Sequence, residues 1–333
     1  MANNDRPVLV APDSFKGTLS AHRVAHAIGR GLAREGLRAD LAPVADGGGG
    51  TAAVLLERLG GETVTASASD PLGREVAASF VMLGQGESAL VEVAAASGLA
   101  LLEPDERDAE AASSAGTGEL IMAAIALGAS HVLVAAGGSA STDGGLGAIE
   151  AIGDAGGLRG ARLTVLCDVR TPFEAAAAVF GPQKGADGAA VARLTRRLED
   201  FQLPRGVPMT GAAGGLAGGL WARFEAALVA GAPFVLSALD FDTRMLASRA
   251  VIVGEGRLDL TSLEGKISGE IATRARQRGV PAHAIVGRCE LPRFDARILD
   301  LQEILEATDE PAIEDAAAKL AGAIAPRPLR SHA

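Results

Sequence analysis

The sequence predicts an α/β protein of two domains, in which a doubly wound parallel sheet is interrupted by a second domain of different pattern. Strand-like and helix-like segments alternate at both ends of the chain, which is typical of parallel sheets with crossover helices. In the middle, three strand candidates follow one another too closely for such crossovers, which favours an antiparallel or mixed sheet. The length of 333 residues also suits two domains better than one.

The first segment begins with an apolar strand that ends at Pro12. The next helix has Ser20 as its N-cap, and its apolar positions, among them Val24 and Ile28, lie along one face. The elements predicted here are strand 7–12, helix 20–35, strand 39–44 and helix 51–59. This βαβα order is the start of a parallel sheet.

The middle of the chain carries the closely spaced strands and two long glycine-rich loops, at 137–147 and 211–219. Its predicted elements are strands 62–69, 75–83 and 88–94, a helix from about 116 to 127, strands 131–136 and 162–167, and a helix over 189–201. The change of pattern indicates an inserted domain.

Regular α/β alternation returns after Pro233. The elements predicted there are strand 250–254, helix 265–278, strand 281–286 and helix 311–324. We therefore expect a discontinuous domain, 1–74 with 238–333, and an inserted domain, 75–237. The residues from Pro326 onward are expected to fray.

Composition excludes several classes of protein. Apolar residues make up 48% of the chain and aromatic residues only 3%, so the core must consist of Ala, Val, Leu and Ile. A net charge of -10 argues against nucleic-acid binding. The first residues lack a signal-peptide pattern, no apolar run approaches about 18 residues, and Cys167 and Cys289 form no disulfide framework. We expect a cytoplasmic protein.

Five loops share one design, in which an apolar strand leads into glycine together with Asp, Ser, Thr or Lys. They are 13–17, 45–51, 137–145, Asp168 with 181–185, and 254–259. Each alone also fits a turn or a helix cap, but five at predicted strand ends favour a ligand site. At 47–50, consecutive glycines before a helix leave backbone N–H groups free to point at a phosphate.

Familiar catalytic motifs are missing from the sequence. It contains no P-loop, no protein-kinase motif set and no GxSxG nucleophile elbow. The stretch 47–52 formally fits a dinucleotide-binding pattern, with Asp70 as a ribose ligand, but four consecutive glycines satisfy many patterns by accident. His22 and His26 share a helix face, where solvent-facing residues are a better interpretation than a metal site.

The remaining inventory of carboxylates, lysines and glycine loops is what phosphoryl transfer needs. The transferred group requires positioning and charge neutralisation, which cations and backbone N–H groups supply. A carboxylate can take the proton from an attacking hydroxyl.

Together these loops resemble the bacterial type-1 glycerate kinase family, in the family's order over roughly residues 7–287. The matching phrases lie at 11–17, 44–48, 92–99, 116–121, 137–140, 180–186, 211–216 and 254–259. The resemblance implies ATP-dependent phosphorylation of D-glycerate with Mg²⁺, giving 2-phosphoglycerate or 3-phosphoglycerate. It also implies a flavodoxin-like domain interrupted by a second α/β domain, with the site between them, in a monomer or homodimer that binds neither nucleic acid nor membrane.

On this resemblance, Asp46 is the first choice for general base, with Asp13 and Asp168 as rivals. Lys16 is expected to meet the glycerate carboxylate or the transferred phosphoryl group. The other expected contacts are Ser14, Gly47, Gly48 and Arg257 for the substrate, Gly137, Gly138, Ser139, Lys184, Gly214 and Gly215 for the nucleotide, and Asp143 and Asp259 for the metal.

The chain departs from the family pattern at several positions. Gly49 stands where the family usually has Glu, and Thr142 and Thr261 stand where it usually has Asn and Gln. The stretches 153–162 and 184–211 are shorter than usual. Two alternatives to a kinase stay open: a non-catalytic sensor of glycerate or nucleotide, and an NAD-dependent dehydrogenase that uses the 47–52 loop.

Overall fold

A computed structural model describes residues 6–15, 17–263 and 266–324 of the chain. The strands are β1 (Val8–Pro12), β2 (Ala39–Leu41), β3 (Gly61–Ser69), β4 (Glu75–Leu83), β5 (Ser88–Glu92), β6 (His131–Ala135), β7 (Arg162–Cys167), β8 (Ala227–Ala230), β9 (Ala250–Leu258), β10 (Ala282–Cys289) and β11 (Leu301–Glu306).

The α-helices are α1 (Ala21–Arg34), α2 (Thr51–Leu59), α3 (Val93–Ser97), α4 (Ala115–Ala126), α5 (Leu146–Asp154), α6 (Ala176–Phe180), α7 (Gly188–Glu199), α8 (Leu216–Phe224), α9 (Gly231–Ala238), α10 (Phe241–Ala247), α11 (Ile267–Arg278), α12 (Arg293–Ile298) and α13 (Glu310–Ile324). Within the described ranges, no helix is long and apolar enough to cross a membrane.

The chain forms two compact units, one up to Ala45 and from Val235 onward, the other Asp46–Phe234. The predicted boundary at residue 74 would separate β3 from β4. These two strands form a long antiparallel hairpin with Gly61 opposite Leu83 and Ser69 opposite Glu75. Because its ladder hydrogen bonds belong to the second sheet, β3 belongs to the second unit.

The first unit contains a five-stranded parallel sheet in the order β2-β1-β9-β10-β11. Numbered within the unit this order is 2-1-3-4-5, the flavodoxin-like doubly wound order. The expected flavodoxin-like fold is therefore confirmed, and it locates a topological switch point between β1 and β9.

Helices α1 and α13 pack on one face of this sheet. Ser20 caps α1 by accepting a hydrogen bond from the Arg23 N–H, as predicted, and Val24 and Ile28 are fully buried. Val8, Val10 and Ile252 face these helices from the sheet. The predicted amphipathic face of α1 is thus the one that covers the sheet.

The second unit contains a six-stranded mixed sheet in the order β3-β4-β5-β6-β7-β8. Strands β3 to β5 are antiparallel, and β5 to β8 are parallel. Its core is built from small aliphatic residues, with Phe80 as its one large aromatic side chain among the fully buried residues described. The mixed sheet predicted for the inserted domain is confirmed.

Two glycines in the helices of the first unit offer a paired test of packing. A Cβ on Gly31 of α1 would lie 2.2 Å from the Glu314 carbonyl oxygen and 2.7 Å from the Ala317 Cβ of α13. A Cβ on Gly322 of α13 would meet nothing within 4 Å.

We expect Gly31→Ala to destabilise the protein by about 1–3 kcal/mol, because the two helices must separate. Gly322→Ala should instead stabilise it by up to about 1 kcal/mol, because alanine favours the helix. Urea unfolding of both variants, followed by circular dichroism, measures the difference. Equal midpoints for the two variants would contradict the close packing of α1 on α13.

Candidate active site

The parallel strands of the second unit end at one edge of its sheet, and the polar residues of the glycine loops gather there. Glu92 is the last residue of β5, Gly137 follows β6 and Asp168 follows β7. Because parallel strands bring their carboxyl ends to one edge, this is the edge at which α/β sheets bind ligands.

The loop 46–50 lies across this edge in direct backbone contact with the strand ends. A Cβ on Gly47 would lie 3.0 Å from the Gly231 Cα and 3.2 Å from the Leu166 carbonyl oxygen. A Cβ on Gly137 would lie 2.5 Å from the Gly48 Cα and 3.2 Å from the Asp168 Oδ2. Any side chain at Gly137 would push the two loops apart, so glycine is required there.

Asp46 begins this loop and is 7% exposed. Its Oδ1 accepts a hydrogen bond from the Gly48 N–H at 3.1 Å. Gly48 in turn adjoins both Gly137 and Asp168. The structure thus gathers Asp46, Gly47, Gly48, Gly137 and Asp168, which the sequence had assigned to the site.

Lys184 is a cation enclosed by the loop 137–145, only 2% exposed. Its Nζ donates to the Ser139 Oγ at 2.9 Å and to the Ser141 carbonyl oxygen at 2.5 Å. Burial lowers the pKa of Lys184 to about 8, against the opposing influence of the Asp143 and Asp168 charges. Among the described residues, no carboxylate lies within ion-pair distance of this buried ammonium, so its charge is suited to bind an anion.

The loop 211–215 packs behind the loop 137–145. The Gly144 N–H donates to the Gly214 carbonyl oxygen at 3.1 Å. A Cβ on Gly214 would lie 2.0 Å from the Ser141 carbonyl oxygen, and one on Gly215 would lie 3.0 Å from the Gly144 Cα. Both glycines are buried, so they support the neighbouring loop through close packing.

Asp143 has a structural role that the sequence did not predict. Its Oδ2 accepts hydrogen bonds from the backbone and the hydroxyl of Ser114 and from the Gly147 N–H, and its Oδ1 accepts one from the Gly145 N–H. These bonds join the starts of α4 and α5. With both oxygens engaged as acceptors, Asp143 fits a metal ion poorly.

The phosphate position predicted at the start of α2 is occupied by a side chain of the protein. The Glu92 carboxylate accepts a hydrogen bond from the Ala52 N–H at 2.8 Å, and the N–H groups of Gly50 and Thr51 also donate to it. Burial raises the pKa of Glu92, and these donors partly offset the effect. The expectation that these N–H groups bind a ligand phosphate is therefore wrong.

The same contacts argue against the dinucleotide reading. Its pyrophosphate would require the N–H groups that Glu92 occupies. Its ribose ligand, Asp70, is itself engaged by the guanidinium of Arg74 and by the backbone N–H groups of Leu72 and Arg74.

In the first unit, Asp13 lies at the switch point between β1 and β9. Its backbone N–H donates to the Gly254 carbonyl oxygen at 2.8 Å, and its Oδ1 accepts from the Ser14 N–H at 2.6 Å. Lys16, predicted as the key cation of this loop, lies outside the described residues.

A second group of charges surrounds Glu255, which is 6% exposed. Its Oε1 accepts from the Ser262 hydroxyl at 3.1 Å, and its Oε2 lies 3.7 Å from the Lys266 Nζ. Burial raises the pKa of Glu255 to about 7, although Lys266 opposes this.

Asp259 adjoins the same lysine, with its Oδ1 3.4 Å from the Lys266 Nζ. Partial burial acts to raise the pKa of Asp259, but a hydrogen bond from Thr261 and the charge of Lys266 hold it below its ordinary value. Arg257 is exposed and lies 3.8 Å from the Glu290 carboxylate, so its assignment to the substrate stays a prediction.

Glu92 and Glu255 were not among the predicted site residues, although the matching phrases 92–99 and 254–259 include them. Glu92 is a lone carboxylate at the end of an apolar strand, and Glu255 stands between two glycines. A buried charge at a strand end is the signal that would have identified both. Among the residues the structure describes, no three His, Cys, Asp or Glu side chains are grouped to hold a metal ion.

Comparison with known proteins identifies close relatives. The model of the Glycerate kinase family matches residues 8–157 and 154–325. The glycerate kinase of Bacillus subtilis (strain 168) is 38% identical over 322 residues, covering 84% of each chain. The glycerate 2-kinase of Escherichia coli (strain K12) is 35% identical over the same coverage. The crystal structure of a putative glycerate kinase 2 from Salmonella typhimurium LT2 superposes with a TM-score of 0.78 at 31% identity, covering 96% of this chain and 98% of that one.

The raised pKa of Glu255 predicts a pH-dependent loss of stability. Because the folded state holds this proton more tightly than the unfolded chain, the contribution is fully present below about pH 4.5 and is lost as pH rises through about 7. Glu255→Gln, which resembles the protonated form, should lack this loss, worth roughly 1–3 kcal/mol. Urea unfolding between pH 4.5 and 8 measures it.

The exposed carboxylate of Glu35, also in the first unit, provides a matched control. Glu35→Gln should keep the wild-type pH dependence. If Glu255→Gln keeps it as well, the buried carboxyl is not the group that titrates.

Proposed function

Because this chain belongs to the glycerate kinase family, a family of phosphotransferases, we propose that it transfers the γ-phosphoryl group of ATP to a hydroxyl of D-glycerate. The product is 2-phosphoglycerate or 3-phosphoglycerate, and the glycerate 2-kinase from Escherichia coli among the relatives supports the 2-position. The observation that carries the proposal is the buried ammonium of Lys184. The glycine-rich loop 137–145 encloses it at the same sheet edge as Asp46 and Asp168.

The chemistry follows from the charges at this edge. Phosphoryl transfer needs positioning and charge neutralisation more than a covalent catalyst. Lys184 and the N–H groups of loop 137–145 would hold the phosphates of ATP, with Gly137, Gly138 and Ser139 as the contacts. The ammonium would stabilise the negative charge that develops on the oxygens during transfer.

Asp46 is our proposed general base, with Asp168 and Asp13 as rivals. A carboxylate accepts the proton of the attacking hydroxyl as the phosphoryl group moves. The Gly48 N–H fixes Oδ1 of Asp46, and Oδ2 would accept that proton. Substrate contacts are assigned to Ser14, Lys16, Gly47, Gly48 and Arg257.

Mg²⁺ would arrive with ATP and supply charge neutralisation on its phosphates. This ion is commonly held by one or two carboxylates together with phosphate oxygens and water, so a preformed cage of protein ligands is not needed. Asp259 remains our proposed ligand, whereas the hydrogen bonds of Asp143 do not suit that role.

The proposed activity is tested by incubating the full chain with Mg²⁺, ATP and D-glycerate. We expect ADP to form in proportion to a phosphoglycerate, and ³¹P and ¹³C NMR would identify which hydroxyl is phosphorylated. Related hydroxy acids and sugars serve as competing acceptors. ATP or glycerate binding without turnover would instead support the sensor alternative.

Asp46→Asn should lower kcat by about a hundredfold or more, because the amide cannot take the hydroxyl proton. ATP affinity, measured by calorimetry, should change little. Asp187, which caps α7 in the same unit by accepting from the Ala190 N–H, offers the control Asp187→Asn with near-normal kcat. Near-normal turnover of Asp46→Asn, with a large loss in Asp168→Asn or Asp13→Asn, would move the base to a rival.

Lys184→Gln should weaken ATP binding by about 10- to 100-fold, since a charge-assisted hydrogen bond is worth roughly 1.5–3 kcal/mol. Because the pKa of Lys184 is lowered to about 8, wild-type affinity should fall as pH rises from 7 to 9. The variant should lack that component. Calorimetric titration with ATP at pH 7, 8 and 9 measures both effects, and equal affinity of the two proteins would exclude Lys184 from the nucleotide site.

A further inference from the structure

The start of α2 finds little hydrogen-bond acceptance in its own segment, where the Thr51 N–H meets the Gly48 carbonyl oxygen at 3.3 Å. The first N–H groups of any helix lack partners within the helix. The N-cap residue of α2 is Gly50, which has φ 94° and no side chain to accept them. Glu92, 40 residues away at the end of β5, accepts the Ala52 N–H at 2.8 Å and also receives the N–H groups of Gly50 and Thr51.

Glu92 therefore occupies the place that a bound phosphate takes in glycine-loop sites. Its carboxylate is an anion held at the positive end of the helix, where the charge and the N–H donors both favour it. The Thr51 hydroxyl donates to the Gly48 carbonyl oxygen at 2.7 Å and is fully buried, so the first turn of α2 is also tied to the loop before it.

These contacts connect Glu92 to Asp46 through few residues. Glu92 fixes residues 50–52, Thr51 fixes Gly48, and the Gly48 N–H donates to the Asp46 Oδ1 at 3.1 Å. If the Glu92 carboxylate were removed, the N–H groups of Gly50 and Ala52 would lose this acceptor, and the Thr51 N–H would keep only its 3.3 Å contact with the Gly48 carbonyl oxygen. The loop that holds Asp46 would then lose its anchor at one end.

We propose that Glu92 is a positioning residue for phosphoryl transfer, whose carboxylate acts as an internal substitute for a phosphate at the start of α2 and so holds the Asp46 loop in its reactive geometry. This inference rests on the proposed function. A displacement of about 1 Å in a catalytic group is enough to lower turnover about a hundredfold.

Glu92→Ala should lower kcat by about a hundredfold, while KM for D-glycerate and the dissociation constant of ATP change only a few-fold. Formate or acetate at tens of millimolar should restore part of kcat in Glu92→Ala, because the small carboxylate replaces the missing anion. Neither salt should rescue Asp46→Asn. Glu92→Gln, which keeps the size and one acceptor oxygen, should fall between Glu92→Ala and the wild type.

Glu119 provides the matched control in the same unit. Its carboxylate also accepts a backbone hydrogen bond, from the Ser69 N–H at 2.6 Å, together with one from the Ser69 hydroxyl at 2.9 Å. Glu119→Ala should keep a near-normal kcat, with no response to formate. Equal kcat losses in the two alanine variants, or a loss in Glu92→Ala that carboxylates do not rescue, would overturn the proposal.

Amide hydrogen exchange separates this inference from the proposed function. The amides of residues 48–52 should exchange at least tenfold faster in Glu92→Gln than in the wild type, and added formate should slow them in Glu92→Ala. Unchanged protection there would overturn the positioning role. A wild-type protein that does not phosphorylate D-glycerate would overturn the proposed function, whereas the exchange rates would still decide whether Glu92 holds the loop.

Discussion

The candidate site of the second unit depends on the close approach of two glycine-containing backbones at the carboxyl edge of its sheet. Gly137 and Gly48 meet where no Cβ fits, beside the carboxylate of Asp168. This contact lets the loop before α2 lie directly on the end of β6, and it brings Asp46 to the edge where Lys184 is enclosed by the next loop. The distance between the two loops of the site is therefore set by this contact between their backbones, and not by a particular pair of side chains.

The charges at this edge are partly satisfied by the protein itself. Asp143 and Glu92 each accept several hydrogen bonds from helix starts, so two of the carboxylates that resemble ligand-binding groups hold the scaffold. Lys184 differs, because among the described residues its partners are a hydroxyl and a carbonyl oxygen and not a carboxylate. In a chain of net charge -10, the Lys184 ammonium supplies the local positive charge that an anionic substrate needs.

Much of the fold was predictable because the spacing of apolar residues and the capping, proline and glycine residues at element ends agree with the tertiary packing. The Ser20 cap and the apolar face of α1 are present as predicted, and so is the strand that ends at Pro12. Strands β3 and β4 were also predicted, but the predicted domain boundary at residue 74 divided the hairpin that they form. Strands β8 and β11 were missed. Both are edge strands with limited burial, so neither shows an alternation that distinguishes a strand from a loop.

The sequence by itself determined the fold class and the loops that carry the polar residues, because these follow from local patterns of apolar residues, glycines and charges. The family followed from the resemblance of the loop phrases to known glycerate kinases. Only the tertiary structure decided what each carboxylate does. Glu92 meets the start of α2 across 40 residues, and Asp143 meets Ser114 across 29. An Asp or Glu at a strand end has the same local sequence whether it binds a ligand or caps a distant helix. Its role is fixed by which N–H groups the fold brings within hydrogen-bond distance.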